Sequence, residues 1–438
     1  MLFERPATGE QAILVHVDLD RGYDADVEEF ADLARAAGAD VVGWIRVRRR
    51  HPSARLFLGT GKADELHELV EETGAQLVIF DHDLSPAQER NLEALLEARV
   101  LSRTGLILDI FAQRARTHEG KLQVELAQLG HMSTRLVRGW SHLDRQKGGI
   151  GLRGAGETQL ELEQRMLDMR IKSIKARLET VRSRRAQSRR SRQRNDVPLI
   201  ALVGYTNTGK STLFNAMADA GVLAADQLFA TLDPTLRRLE IPGFGRAVIA
   251  DTVGFVRRLP HDLVDAFKAT LEEVIEADLL VHVLDAADPA MAEKRAEVHS
   301  VLAEIDALDV PRIEVLNKID ASDDPEPSLV VDAAGLPMQV RASALTGAGL
   351  GTLAQAIATR LGQAVRVAAV LGPEQGRLRS SFYSSGWVEQ ERTDSCGNLE
   401  FDLLLPLERA RRLAADGLWL EPLDARAKGL LAAQQEPS

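Results

Sequence analysis

Residues 204 to 211, Gly204-Tyr205-Thr206-Asn207-Thr208-Gly209-Lys210-Ser211, have the spacing G-x-x-x-x-G-K-S. The apolar run LIALV precedes them, and the helix-like TLFNAMA, opening at Thr212, follows. In that setting a glycine loop wraps a chain of phosphates. Its backbone N–H groups and the helix N-terminus supply positive dipole ends, Lys210 reaches the β and γ phosphates, and Ser211 ligates Mg²⁺.

Three further motifs follow in order. Asp251-Thr252-Val253-Gly254 ends an apolar run, where the carboxylate can hold a magnesium-bound water and the Gly254 N–H can meet the γ-phosphate. Asn317-Lys318-Ile319-Asp320 ends another, and a carboxylate there accepts from guanine N1–H and its exocyclic amine, a pair that adenine does not present. Ser343-Ala344-Leu345 would contact the base through backbone N–H groups. Between the first two motifs, Phe229-Ala230-Thr231-Leu232-Asp233-Pro234-Thr235 has no periodicity, as expected of a loop that orders on a γ-phosphate. Thr231 is favoured over Thr235 as its magnesium ligand. The candidate catalytic groups are therefore Lys210, Thr231 and Gly254, with magnesium GTP as the substrate. Each short motif is weak alone, but their joint order points to a P-loop GTPase.

After Gly254, where fast GTPases often carry a water-orienting glutamine, stands Phe255, so unaided hydrolysis should be slow. Arg257, Arg258 and His261 could assist hydrolysis, but a solvated basic loop is the favoured reading of all three. Asn207 offers a side-chain oxygen that could hold K⁺ against the phosphates and supply the charge an arginine finger supplies elsewhere.

These residues need a frame. From 197 to 364, strand-like runs alternate with helical ones, the pattern of a doubly wound sheet. Residues 1–117 show the same alternation on a smaller scale. Within 118–196, Leu122, Leu126, Leu129, Met132 and Leu136 mark one helix face, six glycines lie between 139 and 156, and Leu160 to Val181 restart a helical period. That is a helical hairpin with a glycine-rich tip, its second helix about 57 Å long at 1.5 Å per residue, an arm rather than a packed element. Residues 365–438 read as a small α+β domain. The expected class is α/β and multidomain.

Composition is that of a soluble folded chain, and the 438 residues exceed one core. The single Cys396 allows no internal disulfide and fits a reducing cytoplasm. The N-terminus lacks the basic start and apolar run of a signal peptide, and no run is long enough to span a membrane. The total charge of −11 hides an asymmetry: residues 165–194 hold twelve Lys or Arg against Asp168 and Glu179, a local +10 beside −21 for the remainder. With Arg138, Trp140, Arg145, Lys147 and Arg153 at the tip, the arm reads as an RNA contact, cations for phosphates and a ring for an unpaired base.

The chain resembles the HflX family of GTPases. The stretches that carry the resemblance are GKLQVELAQLGHMSTRL (120–136), QKGGIGLRGAGETQLE (146–161), GYTNTGKSTLFN (204–215), LFATLDPT (228–235), DTVGFVRRLPHDLVDAFKATLEE (251–273) and NKID. Thr208 stands where the family commonly has alanine. The resemblance implies a cytoplasmic GTPase that binds the large ribosomal subunit and its RNA, is stimulated by it, and splits stalled or idle ribosomes under stress. It implies a hairpin loop directed at the peptidyl-transferase region. A monomer with no membrane insertion is expected. Two other readings are weighed: a GTP switch that binds a protein, and an ATP-driven RNA remodelling factor. Gly59-Thr60-Gly61-Lys62 lacks the phosphate-loop spacing and reads as a strand-to-helix turn.

Overall fold

The structure is a computed structural model, and it describes residues 9–19, 25–139, 155–194, 197–218, 229, 231–242, 244–257, 271–362, 364–372, 374–393, 397–424, 427–428 and 431. Contacts divide the chain into two units. The first takes the described residues up to Ser183 together with Phe229 and 231–233; the second takes the others.

The first unit opens with a four-stranded parallel sheet, ordered β2-β1-β3-β4, from Gln11–Asp18 (β1), Asp40–Arg48 (β2), Leu77–Phe80 (β3) and Arg99–Leu101 (β4). Helices Ala25–Ala36 (α1), Thr60–Thr73 (α2) and Pro86–Leu96 (α3) connect the strands. β3, LVIF, is buried throughout, as a parallel strand covered on both faces must be. Lys62 in the first turn of α2 pairs with Glu65 at 2.6 Å, and Gly59 caps that helix. The sequence reading lacks β4, three residues too short to show a period.

Helix Arg103–Arg114 (α4) then leads to the hairpin. His118–Gly139 (α5) and Ala155–Arg194 (α6) run antiparallel, as Arg170 Nε donates to Glu125 at 2.7 Å while Arg177 lies 3.0 Å from His118. Leu122, Leu129, Leu167, Ile174 and Leu178 form a buried seam between them. The expected free arm is thus corrected: from Leu167 to Leu178 the second helix is packed on the first, because its apolar residues recur every three or four positions. Trp140, Arg145, Lys147 and Arg153 lie outside the described residues, as does the side chain of Arg138.

The second unit holds a seven-stranded sheet of order β10-β11-β9-β8-β5-β7-β6. Its strands are Leu199–Val203 (β5), Thr235–Ile241 (β6), Gly245–Asp251 (β7), Leu279–Asp285 (β8), Arg312–Asn317 (β9), Leu329–Val331 (β10) and Pro337–Arg341 (β11). The five inner strands are parallel, and β6 and β10 are antiparallel edges. Helices Lys210–Ala218 (α7), Glu272–Ile275 (α8), Met291–Glu304 (α9) and Leu350–Leu361 (α10) accompany them, so the chain is a multidomain α/β protein with a doubly wound sheet. Both edges escaped the sequence reading, since TLRRLEI and LVV carry neither the apolar run nor the strict alternation that marks inner strands.

After Gly362 a four-stranded antiparallel sheet, β13-β14-β12-β15, is built from Ala364–Leu371 (β12), Val388–Thr393 (β13), Leu399–Pro406 (β14) and Leu420–Pro422 (β15), with helices Gly376–Ser385 (α11) and Leu407–Ala415 (α12). β12, AVRVAAVL, follows directly on a helix and carries no turn signal of its own. Among the described residues no helix is long and apolar enough to cross a membrane.

Candidate functional site

β5 is the first strand of its sheet and pairs with β7 on one side and β8 on the other. Connections leaving it therefore diverge, and its carboxyl end is the crevice where doubly wound sheets bind ligands. Gly204 leaves β5 at that end. Asn207, exposed, takes a left-handed turn at φ +59°. Thr208 Oγ1 donates to the Tyr205 carbonyl at 3.0 Å, which gives this threonine a bracing role inside the loop. Lys210 Nζ donates to the same carbonyl at 2.6 Å. Burial pushes the Lys210 ammonium down to about 8, while the Asp251 carboxylate acts the other way. Gly209, Ser211 and Thr212 are half-buried.

β7 delivers Asp251 beside this loop, and Ser211 Oγ donates to Asp251 Oδ2 at 2.7 Å. A hydroxyl and a carboxylate oxygen thus stand together, a hard-oxygen pair of the kind that Mg²⁺ takes with phosphate oxygens and water. Thr252 is buried, its hydroxyl donating to Leu202 O at 2.5 Å, and Val253 is buried as well. Gly254 has no room for a side chain: a Cβ would lie 2.7 Å from Thr206 Cγ2 and 3.1 Å from Lys210 Nζ. Phe255 continues as backbone pairing, its carbonyl accepting from Thr206 N at 2.8 Å and its N–H donating to Gly204 O at 3.2 Å. Its ring is buried, so the residue zips this strand end to the phosphate loop.

The solvated reading of Arg257 is corrected. Its N–H donates to the Tyr205 hydroxyl at 2.6 Å, its guanidinium pairs with Glu293, and Lys294 lies 5.1 Å above the Tyr205 ring. Nothing in the spacing of the sequence announced that cluster. Arg258 and His261 lie outside the described residues.

Asn317 joins three loops. Its Nδ2 donates to Thr208 O at 2.8 Å and its Oδ1 accepts from Ala344 N at 2.9 Å. Lys318, left-handed at φ +63°, reaches Asp285 at 2.8 Å. Ile319 is buried beneath, and Asp320 accepts from Ser343 Oγ at 2.5 Å, which holds that carboxylate in place. Leu345 is 79% exposed. One crevice therefore gathers the phosphate loop, the Asp251 to Gly254 turn, the Asn317 to Asp320 turn and the Ser343 to Leu345 turn.

The segment around Thr231 folds with the first unit. Phe229 is buried with its ring edge-on to Phe111, centroids 4.6 Å apart, so its side chain is core. Leu232 is buried, and the Asp233 carboxylate accepts from the N–H groups of Arg116 and Thr117 at 2.9 and 2.8 Å. Ala230 lies outside the described residues.

Elsewhere in the second unit, His282, His299 and Glu314 bring possible ligand atoms within 4.8 Å of one another. Arg295 already pairs with Glu314 at 2.6 Å, and burial, with Arg295 and Arg312 nearby, lowers both imidazoles below their ordinary range. That local positive charge opposes a divalent cation.

Three family models match the chain in sequence order: a GTP-binding GTPase N-terminal model over residues 24–112, a GTP-binding GTPase middle-region model over 114–192, and a 50S ribosome-binding GTPase model over 199–318. The chain is 55% identical over 414 residues to GTPase HflX of Escherichia coli, spanning 94% of this chain and 97% of that protein. It is 43% identical to GTPase HflX of Caldanaerobacter subterraneus, with 89% of each chain covered. Among solved structures, a GTP-binding protein of Sulfolobus solfataricus in complex with GDP aligns over 80% of this chain and 98% of its own at 23% identity, TM-score 0.43. The chain is a GTP-hydrolysing enzyme and belongs to the HflX family of ribosome-binding GTPases.

Proposed function

We propose that this GTPase binds the large ribosomal subunit in its magnesium-GTP state and uses GTP binding and hydrolysis to split stalled or idle ribosomes into subunits. The observation that carries the reading is the union, in one chain, of a guanine-nucleotide crevice with a hairpin whose second helix bears a local charge of +10 over residues 165–194. The match of residues 199–318 to a 50S ribosome-binding GTPase model supports it.

In this reading Lys210 and the Gly254 N–H stabilise charge on the γ-phosphate, and Ser211 and Thr231 ligate Mg²⁺. Residues 204–212 and 251–254 line the phosphates, with Thr231 of the 229–233 loop beside them. Residues 317–320 and 343–345 hold the base, with Asp320 reading guanine. Asn207 holds K⁺. Arg138, Trp140, Arg145, Lys147 and Arg153 meet ribosomal RNA. The four segments 1–117, 118–196, 197–364 and 365–438 act as domains of a cytoplasmic monomer.

The test is GTP hydrolysis by the purified protein in potassium buffer, alone and with large subunits, with Lys210→Ala as the blank, beside light scattering on intact ribosomes. Strong stimulation together with a fall in scattering is the expected result. Slow turnover that large subunits leave unchanged would overturn the reading in favour of a protein-binding switch.

A further inference from the structure

The loop that carries Thr231 is anchored at both ends to the helices from which the hairpin springs. At one end Phe229 is 2% exposed and packs on Phe111 of α4. At the other, Asp233 sits on the first turn of α5. Its Oδ2 accepts from the N–H groups of Arg116 and Thr117, and its Oδ1 accepts from Thr117 Oγ1. Thr117 Oγ1 in turn accepts from Gly120 N at 3.0 Å, the bond of an N-cap. A helix N-terminus leaves its first N–H groups without partners in the helix, and a carboxylate there satisfies both the donors and the dipole. Here that carboxylate comes from a residue 116 positions further along the chain. Gly120 makes way for it, since a Cβ at that position would lie 2.1 Å from Asp233 Oδ1.

Only one residue lies between Asp233 and Thr235, which opens β6 and pairs in register with Asp251. With Phe229 and Asp233 both fastened, a shift of Thr231 bears on these fastenings. The capped helix is also the one that leads to the hairpin tip.

We propose that Asp233 is a positioning residue that ties the Thr231 loop to the first turn of α5, so that ordering of the loop by magnesium GTP tightens the start of the hairpin. The proposal rests on the reading of residues 229–235 as the loop that responds to nucleotide. It assigns Asp233 a partner of its own, the α5 N-terminus, in place of direct contact with the ligand. A ligand moves such an element only through contacts that differ between its two arrangements, and the three bonds to Asp233 are contacts that can differ.

The test is amide hydrogen exchange on the full chain, with and without Mg²⁺ and a non-hydrolysable GTP analogue, read separately at 229–233 and at 116–121. In the wild type both segments should exchange severalfold more slowly with the analogue. In Asp233→Ala the response at 116–121 should vanish. Thr117→Val, outside the nucleotide crevice, should bind the analogue with an affinity lowered by no more than the severalfold that the lost coupling accounts for, and transmit less, which keeps the test usable if the first variant fails to fold. A response at 229–233 with none at 116–121 in the wild type would overturn the coupling alone. Silence at both segments would overturn the loop reading with it, and an undiminished response in Asp233→Ala would overturn the role of the carboxylate.

Discussion

Asn317 donates its carboxamide N–H to the carbonyl of Thr208 at 2.8 Å, so a residue of the base-reading turn holds the phosphate loop in shape. The same side chain accepts from Ala344 N, and Asn317 is buried. Its part in the site is thus to hold three loops in one geometry.

Asn317→Ala should therefore weaken guanine-nucleotide binding on both sides of the site. Two buried bonds are lost and their partners left unsatisfied, at about 1–3 kcal/mol each; one such penalty falling on binding lowers affinity roughly fivefold to more than a hundredfold. Titration with a fluorescent GDP analogue measures it. An affinity within twofold of wild type would mean that the loops hold their shape without the brace.

Lys210 sets a pH dependence. Burial places its ammonium at about 8, against an ordinary 10.5, and bound phosphates favour the charged form and raise it again. Between those two values GTP binding must take up a proton, and affinity should fall as pH rises through 8, by up to about tenfold per unit. Calorimetry at pH 8.5 in buffers of different ionisation enthalpy should show net proton uptake in the wild type and less in Lys210→Met. Equal uptake in both would assign the proton to another group.

Phe255→Gln should not accelerate hydrolysis, although it restores the residue type common at that position in fast GTPases. The ring is buried and the backbone on both sides is paired to the phosphate loop, so a glutamine there would bury its amide and lose apolar contact. A stability loss of roughly 2–4 kcal/mol is expected, with turnover unchanged or lower. Chemical denaturation and single-turnover kinetics check the two halves, and faster turnover would show that the side chain can swing to the nucleophile.

His282 is 0% exposed, and neither ring nitrogen has a hydrogen-bond partner. Burial, with His299, Arg295, Arg312 and Lys210 nearby, pushes it down to about 3 from an ordinary 6.5. The folded state therefore binds fewer protons than the unfolded one between those values, and stability should fall as pH drops from 6.5 toward 3. His282→Leu removes an unsatisfied polar group and should be neutral to about 1 kcal/mol stabilising at pH 7.5, with a shallower acid limb. Melting temperature against pH reads both. A leucine variant destabilised at pH 7.5 would mean that the imidazole has a partner in solution.

The sequence by itself determined where the crevice residues fall. Gly204–Ser211, Asp251 and Asn317–Asp320 each sit within a few consecutive residues at the end of an apolar strand, so local spacing predicts their place in a parallel sheet. The hairpin was equally legible, because helical period and charge are local properties. Only the tertiary structure decided what depends on distant pairs: Asn317 bracing Thr208, Tyr205 gathering Arg257 and Lys294, and Asp233 capping a helix 116 residues before it. It also decided the edge strands Thr235–Ile241 and Leu329–Val331, which draw their order from one hydrogen-bonded neighbour rather than from an apolar pattern. A side chain's type limits the bonds it can make, and the folded chain alone selects the partner.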